Sequence, residues 1–200
     1  HKFTFICQEE HLNRFNLEEN ISNATNSYNI ITIKELTEGA ACTVLLAEKI
    51  IDNQNQLMIA NCDQYISVDI NKYIESFLIS KSNGYIMTMK ANDPKWSFVK
   101  LNSLNLITDV KEKEVVSDEA TVGIYNFLHG NDFVYGAKKM ISKNERVNNE
   151  FYVAPVYNNL INDNFKVGIF NIGSDRDGMF GLGVPEDLEY FNSLGALPRK

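Results

Sequence analysis

Short apolar runs alternate with amphipathic stretches along the first half of the chain. Residues 2–7, 28–33 and 57–61 are rich in aromatic, β-branched and other apolar side chains, a composition typical of β-strands. Residues 9–19 and 41–52 instead place apolar side chains at the spacing of a helix face. Because residues 57–61 show no polar alternation, we expect that strand to be buried on both faces of a sheet.

The second half of the chain mixes strand patterns with helix patterns. Strands are predicted over residues 84–90, 98–101, 106–110, 120–127 and 166–172. Helices are predicted from Asp69 to residue 80, from Asn131 or Asp132 to residue 142, past Pro155 within residues 151–163, and from Pro185 onward. This order predicts one α/β domain over residues 1–200, a three-layer α/β/α fold with a mixed, mostly parallel, Rossmann-like sheet.

Composition and charge narrow the classes of function. The chain has 200 residues, of which 44% are hydrophobic, and this is enough for one core. A net charge of −7 without a Lys/Arg run argues against nucleic acid and anionic membrane surfaces as partners. No apolar run reaches the roughly 18 residues of a membrane span. Three cysteines without disulfide or zinc spacing, and no secretory signal, indicate a cytoplasmic protein.

The main candidate for chemistry is Asp63, which follows the predicted strand 57–61 within Asn61-Cys62-Asp63. Ligands of open α/β sheets collect at the carboxyl ends of strands. One carboxylate at such a position can bind Mg²⁺ when phosphate oxygens supply further ligands. A carboxylate that caps a turn or the next helix would also suit the position, and the pattern leaves both interpretations open.

Two further segments carry weaker signals. Gly39 and Ala40 precede a predicted helix, where backbone N–H groups can contact a base or a phosphate, although small residues there also serve plain packing. Glu112 and Lys113 follow the predicted strand 106–110. A lysine at a strand end could pair with a phosphate as a point charge, or it could remain an ordinary surface residue.

Taken in order, these motifs resemble the sugar-phosphate nucleotidyltransferases, the NDP-sugar pyrophosphorylase superfamily. The ordered features are the small-residue loop at 38–43, the strand ending in Asp63, the Glu112-Lys113 turn, the strand with Gly123, and the Gly-Val-Pro-Glu-Asp-Leu segment at 183–188. The resemblance is greatest to the bacterial type that serves capsule and other surface polysaccharides.

The resemblance implies a reaction and a role for each matching residue. A phosphate oxygen of a sugar phosphate, or of a similar phosphate ester, would attack the α-phosphorus of an NTP, and pyrophosphate would leave. Positioning and charge neutralisation are sufficient for such catalysis, so no nucleophilic side chain is needed. The implied roles are Mg²⁺ binding by the catalytic Asp63, nucleotide contacts by Gly39, Ala40 and Asn61, sugar contact by Glu112, phosphate neutralisation by the catalytic Lys113, and space for the sugar at Gly123.

The chain departs from the family pattern at two places. The family's N-terminal Gly-rich loop, whose Arg and Lys wrap the triphosphate, has no counterpart here. We therefore expect roughly 40 to 50 residues of a full domain to precede His1, which would leave a gap beside the sheet. The second metal-binding Asp of the family also has no counterpart within residues 149–155, where Glu150 is the nearest substitute, and Asp177 is a more distant one.

Two alternatives come from other classes of protein. A nucleotide-sugar-dependent glycosyltransferase would share the sheet and the strand-end carboxylate. Such enzymes usually carry Asp-x-Asp, whereas this chain has Asp63-Gln64-Tyr65. A non-catalytic module that binds a nucleotide sugar is the other alternative, and the lack of a second Asp favours it. A homo-oligomer is compatible with each of these functions.

Overall fold

The computed structural model describes residues 1–195, and this part of the chain forms ten strands and eight helices. The strands are β1 (Phe3–Gln8), β2 (Tyr28–Ile33), β3 (Leu57–Ala60), β4 (Gln64–Ile66), β5 (Gly84–Lys90), β6 (Ser97–Leu101), β7 (Ile107–Glu112), β8 (Glu119–Phe127), β9 (Val167–Asp175) and β10 (Gly178–Gly181). The helices are α1 (Glu9–Arg14), α2 (Leu17–Ala24), α3 (Ala40–Leu45), α4 (Glu48–Ile51), α5 (Ile70–Ser80), α6 (Gly130–Ser142), α7 (Val156–Asn162) and α8 (Pro185–Ser193). The predicted extent of the domain, 1–200, includes five residues outside the described part and stays a prediction.

The main sheet has eight strands, and β8 is its central strand. The strand order is β4-β10-β9-β5-β8-β6-β7. Strand β3 pairs with β8 on the same side as β6, opposite β5. Strands β5, β9 and β10 are parallel neighbours, whereas β3, β5 and β6 all run antiparallel to β8. Every residue of β8 is buried. The predicted α/β fold with a mixed sheet is confirmed.

Helices cover both faces of this sheet. On one face α6 and α7 place Phe133 and Tyr157 against Phe127 of β8, and the Phe127 and Tyr157 rings stack with centroids 4.5 Å apart. On the other face Phe77 of α5 stacks on Tyr85 of β5 at 5.5 Å. Each face therefore buries an aromatic cluster, and the three-layer arrangement follows from these two cores.

Strands β1 and β2 form a separate parallel pair. Their register runs from Phe3 beside Tyr28 to Gln8 beside Ile33, and within the described residues neither strand joins the ladder of the larger sheet. Apolar contacts connect this pair to the rest, because Ile6 and Ile31 pack against the same core as Leu57. The gap beside the sheet that the resemblance implies stays a prediction.

Two predicted helices are each divided into two in the structure. The helix predicted over 9–19 breaks because Asn16 adopts a left-handed conformation (φ 49°) between α1 and α2. The helix predicted over 41–52 becomes α3 and α4, separated by a turn at Leu46 and Ala47. Apolar spacing continues across both breaks, so periodicity alone joined the pieces.

One of the predicted helix N-caps is confirmed, and another differs in the structure. Asp69 caps α5 as predicted, since its carboxylate accepts the backbone N–H of Asn71 at 2.9 Å. Helix α6 begins earlier than predicted, with His129 rather than Asn131 or Asp132 at the N-cap position. The helix predicted past Pro155 is α7, and the helix predicted from Pro185 is α8.

The helices are short. The longest one in residues 1–195, α6, has 13 residues. No helix in this part of the chain has the length and apolar character needed to cross a membrane.

Candidate functional site

The strand-end segment that carries Asp63 is held in place by backbone hydrogen bonds. The N–H of Asn61 donates to the carbonyl of Gly123 on β8 at 2.9 Å, and the N–H of Leu182 donates to the carbonyl of Asp63 at 2.8 Å. A Cβ atom at Gly183 would lie 2.8 Å from Oδ2 of Asp63, so the glycine leaves room for the carboxylate. The carboxylate is exposed, and the described residues give it neither a hydrogen bond nor an ion pair. It is therefore available to a ligand.

Gly123 lies beneath two polar side chains. Its φ of 74° is in the left-handed region, and a Cβ atom there would lie 2.6 Å from Nδ2 of Asn61 and 3.1 Å from Oε1 of Gln64. The structure thus brings the predicted Asn61 and Gly123 together and adds Gln64. The buried Nε2 of Gln64 has no acceptor within residues 1–195. An unpaired buried donor is costly unless a ligand uses it.

A row of polar side chains crosses four strands of the main sheet. Thr88 of β5 pairs with Thr121 of β8, and Ser97 of β6 pairs with Glu112 of β7. Because Phe98 pairs with Ala120, Ser97 lies beside Thr121 on the same face. Thr88, Thr121 and Ser97 are buried, and the Thr88 hydroxyl has no partner in the described part of the chain. Thr121 pairs with the Tyr125 hydroxyl and Ser97 with Glu112, so Thr88 is the member of the row whose burial is not compensated by a hydrogen bond.

Glu112 ends this row as a half-buried carboxylate. The Ser97 hydroxyl donates to one of its oxygens. Burial raises the pKa of Glu112, while the Ser97 hydrogen bond and the nearby Lys113 charge oppose that rise. Its other oxygen has no hydrogen bond within residues 1–195 and could accept one from a substrate hydroxyl.

Lys113 follows directly and lies at the surface. Its Nζ donates to the Tyr152 hydroxyl at 2.9 Å and lies 5.0 Å from the centre of that ring. The hydrogen bond with Tyr152 raises the pKa of Lys113 above its ordinary value, so the side chain is a cation at neutral pH. Glu112 and Lys113 therefore present an acceptor and a cation side by side.

Gly39 is explained first by packing. Its φ is 123°, and a Cβ atom there would lie 2.6 Å from both the N and the O of Phe151. The Phe151 N–H donates to the Glu38 carbonyl at 2.8 Å, and its carbonyl accepts the Ala41 N–H at 2.9 Å. Only glycine fits against this backbone. Contacts of Gly39 and of the adjoining Ala40 with a nucleotide base stay predictions.

The two candidates for a second metal-binding carboxylate, Glu150 and Asp177, lie in separate segments of the fold. Glu150 lies near Glu112 and Lys113, whose pKa values it influences. Asp177 lies between β9 and β10, where its carbonyl accepts the Ser174 N–H at 2.8 Å. Within residues 1–195 no group of three or more His, Cys, Asp or Glu side chains could hold a metal. Asp63 alone fits Mg²⁺ only if phosphate oxygens and water complete the coordination.

Sequence reasoning missed several residues of this site, namely Gln64, Thr88, Ser97, Thr121 and Tyr152. They come from different strands and from the segment before α7, so no local motif contains them. Gln64, Thr88, Ser97 and Thr121 carry their polar atoms on strands of the main sheet, and Tyr152 reaches Lys113 just after β7. Nothing in the sequence alone shows this arrangement, because it depends on strand register.

Comparison with known proteins adds a decisive likeness in fold. A nucleoside-diphosphate-sugar pyrophosphorylase from Vibrio cholerae RC9 superposes with a TM-score of 0.79 at 23% identity, covering 96% of this chain and 80% of that one. A proposed glucose-1-phosphate thymidylyltransferase from Bacillus anthracis, solved in complex with sucrose, gives 0.75 at 19% identity, with 96% and 74% covered. The chain has the nucleotidyltransferase fold.

The same fold occurs in an enzyme with a different acceptor. The inositol-1-phosphate CTP transferase of T. maritima superposes with a TM-score of 0.66 at 16% identity, covering 93% of this chain and 71% of that one. No family model and no curated protein matches the sequence. At these identities the nucleotidyltransferase fold is established by three-dimensional likeness, and function must be argued from the site.

Proposed function

We propose that the chain is a nucleotidyltransferase that transfers a nucleoside monophosphate from an NTP to a sugar phosphate or a similar phosphate ester, with release of pyrophosphate. The observation that carries the proposal is the exposed, unpaired carboxylate of Asp63 beside the Gly123 strand in this fold. The solved relatives described as pyrophosphorylase, thymidylyltransferase and CTP transferase support the reaction class. The sequence resemblance to the capsule type extends the proposal to nucleotide sugars for surface polysaccharides.

Each side chain has a role that its surroundings allow. Lys113 neutralises the acceptor phosphate. Its ammonium is available for this role, because no carboxylate lies within ion-pair distance of it in residues 1–195. Glu112 accepts a hydrogen bond from an acceptor hydroxyl through its free oxygen. Asn61 and Gln64, which lie against Gly123, line the space between the acceptor and the nucleotide. Catalysis then consists of aligning a phosphate oxygen with the α-phosphorus and offsetting charge.

Asp63 is the side chain that would hold Mg²⁺, which would supply charge neutralisation at the nucleotide phosphates. Its oxygens are of the type that Mg²⁺ prefers, and its exposure leaves room for water and phosphate ligands. The protein's own contribution is to hold the carboxylate at a fixed place through the Asn61 and Leu182 backbone hydrogen bonds.

One observation favours a second candidate, a non-catalytic module that binds a nucleotide sugar. In residues 1–195 no group of three or more His, Cys, Asp or Glu side chains around Asp63 could hold a metal. Such a module would bind nucleotide sugars without releasing pyrophosphate from an NTP. The two candidates therefore differ in turnover rather than in ligand chemistry.

The experiment that tests the proposal combines binding with turnover. Thermal unfolding of the chain is followed with each NTP and with nucleotide sugars, with and without Mg²⁺, because a ligand stabilises the folded state by RT ln(1 + [L]/Kd). Pyrophosphate release is then measured with sugar 1-phosphates and with inositol 1-phosphate. Release that depends on one acceptor supports the enzyme. Binding without release selects the module, and the lack of both contradicts the proposal.

Asp63→Asn tests whether the exposed carboxylate of Asp63 is needed for nucleotide binding. We expect the Mg²⁺-dependent affinity for NTP to fall by about tenfold or more, which corresponds to about 1.4 kcal/mol, measured by titration calorimetry. Because the carboxylate is exposed and unpaired, the Tm of the ligand-free protein should stay within about 2 °C. Asp52→Asn, at an exposed position after α4, is the matched control. Equal affinity for wild type and Asp63→Asn would remove Asp63 from the site.

A further inference from the structure

Tyr152 is held rigidly at the surface between two buried neighbours. Phe151 is 0% exposed and Val153 is 5% exposed, whereas Tyr152 is partly exposed. The backbone of Phe151 is fixed on both sides by its hydrogen bonds with Glu38 and Ala41, at 2.8 and 2.9 Å. The backbone that carries Tyr152 is therefore anchored by the core and by the loop that contains Gly39.

The residue that Tyr152 contacts is also fixed in its backbone. Lys113 adopts a left-handed conformation with φ of 57°, which is uncommon for a residue other than glycine. Its N–H donates to the Trp96 carbonyl at 3.0 Å. From this anchored position the side chain reaches Tyr152, with 2.9 Å between Nζ and the hydroxyl oxygen. Strained backbone of this kind concentrates at functional sites.

The hydrogen bond between Lys113 and Tyr152 leaves further donor groups of both residues unused. An ammonium group has three N–H donors and no acceptor, so the Tyr152 oxygen must accept in this contact. The hydroxyl hydrogen of Tyr152 and two ammonium hydrogens of Lys113 then have no acceptor within residues 1–195. A phosphate monoester offers several acceptor oxygens and negative charge, and it would use both kinds of donor.

A second lysine–tyrosine pair shows what distinguishes this one. On α6, Lys139 lies 3.1 Å from the Tyr135 hydroxyl and 5.2 Å from the centre of that ring. Asp163 neutralises Lys139 there, at 2.6 Å. Lys113 has no carboxylate within ion-pair distance in the described part of the chain, so its charge remains available to an anion.

We infer that Tyr152 determines specificity for phosphate-bearing acceptors, by fixing the Lys113 ammonium and by donating its own hydroxyl hydrogen to the acceptor phosphate. The inference rests on the proposed function, in which Lys113 neutralises that phosphate. It adds a second phosphate ligand that no sequence motif indicates. Through Phe151, this ligand is also tied to the Gly39 loop on the side assigned to the nucleotide.

The test uses Tyr152→Phe, which keeps the ring and removes only the hydroxyl, with Tyr135→Phe as the matched control. For Tyr152→Phe we expect KM for the sugar 1-phosphate to rise about fivefold to twentyfold, while KM for the NTP changes less than about twofold. Tyr135→Phe should leave both values within about twofold of wild type. In a Lys113→Ala background the effect of Tyr152→Phe should become smaller, because the contribution that Tyr152 makes by fixing the ammonium is already lost and only its own hydrogen bond remains.

Two results would overturn the inference. One is an equal change of both KM values for Tyr152→Phe, which a general structural role would cause. The other is full additivity of Tyr152→Phe and Lys113→Ala. If wild type releases no pyrophosphate with any acceptor, the proposed function fails separately. Calorimetric titration of inorganic phosphate then decides: weaker binding to Tyr152→Phe than to wild type supports the inference, and equal or absent binding in both contradicts it.

Discussion

Gly123 and Gly39 show how a single residue acquires its meaning from the fold. Both glycines were predicted to contact substrates. At Gly39 the position that a Cβ atom would take is filled by the Phe151 backbone, whereas at Gly123 it is filled by the Asn61 and Gln64 side chains. The first contact is made by backbone, and the second is made by polar side chains next to the candidate residue Asp63. Sequence alone does not separate these cases, since both involve residues distant along the chain.

Glu112 gives a prediction at the residue scale that concerns stability and pH. Burial raises its folded-state pKa above the ordinary value of 4.5, so the folded protein binds this proton more tightly than the unfolded chain does. The stability that this contributes is complete below the unfolded pKa and is lost as pH rises through the folded pKa. We expect the neutral variant Glu112→Gln to gain stability relative to wild type as pH rises above about 4.5.

Urea unfolding of both proteins at a series of pH values from about 4 to 7.5 measures this difference. Glu114→Gln, at an exposed position two residues further on, serves as the control, because it removes a carboxylate that faces solvent. A Glu112→Gln difference that stays constant over the whole range would contradict the role of burial. If Glu112→Gln is more stable than wild type at neutral pH, the carboxylate of Glu112 lowers stability there, which is typical of a group retained for function.

At the scale of elements, periodicity located strands well and helix ends less well. The strands predicted over residues 84–90 and 120–127 lie within a residue or so of β5 and β8, because both are long apolar segments. The short β4 and β10 were not predicted. They pair with each other at the margin of the sheet, and β10 also pairs with β9. Such pairing makes strands of segments as short as three and four residues.

Helix α7 protects the edge of the main sheet through one side chain, and this gives a prediction for that element. Asn158 accepts the N–H of Val110 and donates to its carbonyl, both at 2.8 Å, as a neighbouring strand would. Asn158→Ala leaves both backbone groups of Val110 unpaired. We expect a loss of about 2 kcal/mol in the free energy of unfolding, measured by urea denaturation.

Asn162→Ala is the matched control for this prediction. Asn162 ends the same helix, is exposed, and makes no side-chain hydrogen bond in the described residues. Its replacement should change stability by less than about 0.5 kcal/mol. If both variants lose the same amount, the edge contact of Asn158 contributes nothing beyond the helix itself.

At the scale of the whole molecule, the two sheets differ greatly in burial. No residue of β1, β2, α1 or α2 is fully buried, whereas β8 is buried throughout. A two-stranded sheet is marginally stable without further packing. We expect amide hydrogens of β1 and β2 to exchange with solvent at least about 100-fold faster than those of β5 and β8, measured by hydrogen exchange with mass spectrometry.

Ligands provide the internal comparison for that measurement. If β1 and β2 open independently of the main sheet, their fast exchange should persist when an NTP slows exchange around Asp63. Equal protection of both sheets in the ligand-free protein would instead mean that residues 1–195 unfold as one cooperative unit, which would contradict the prediction.

Local sequence is sufficient to predict the α/β class, most of the longer strands and the cap at Asp69. It also indicates the candidate residues Asn61, Asp63, Glu112, Lys113 and Gly123. These follow from local apolar patterns, from short-range capping and from ordered motifs, all of which lie within a few neighbouring residues. The folded structure was needed to show the break at Asn16, the packing role of Gly39, and the placement of Gln64, Thr121 and Tyr152 near the predicted residues. Those features depend on strand register and on contacts across the sheet, where a shift of one residue reverses the face that a side chain occupies.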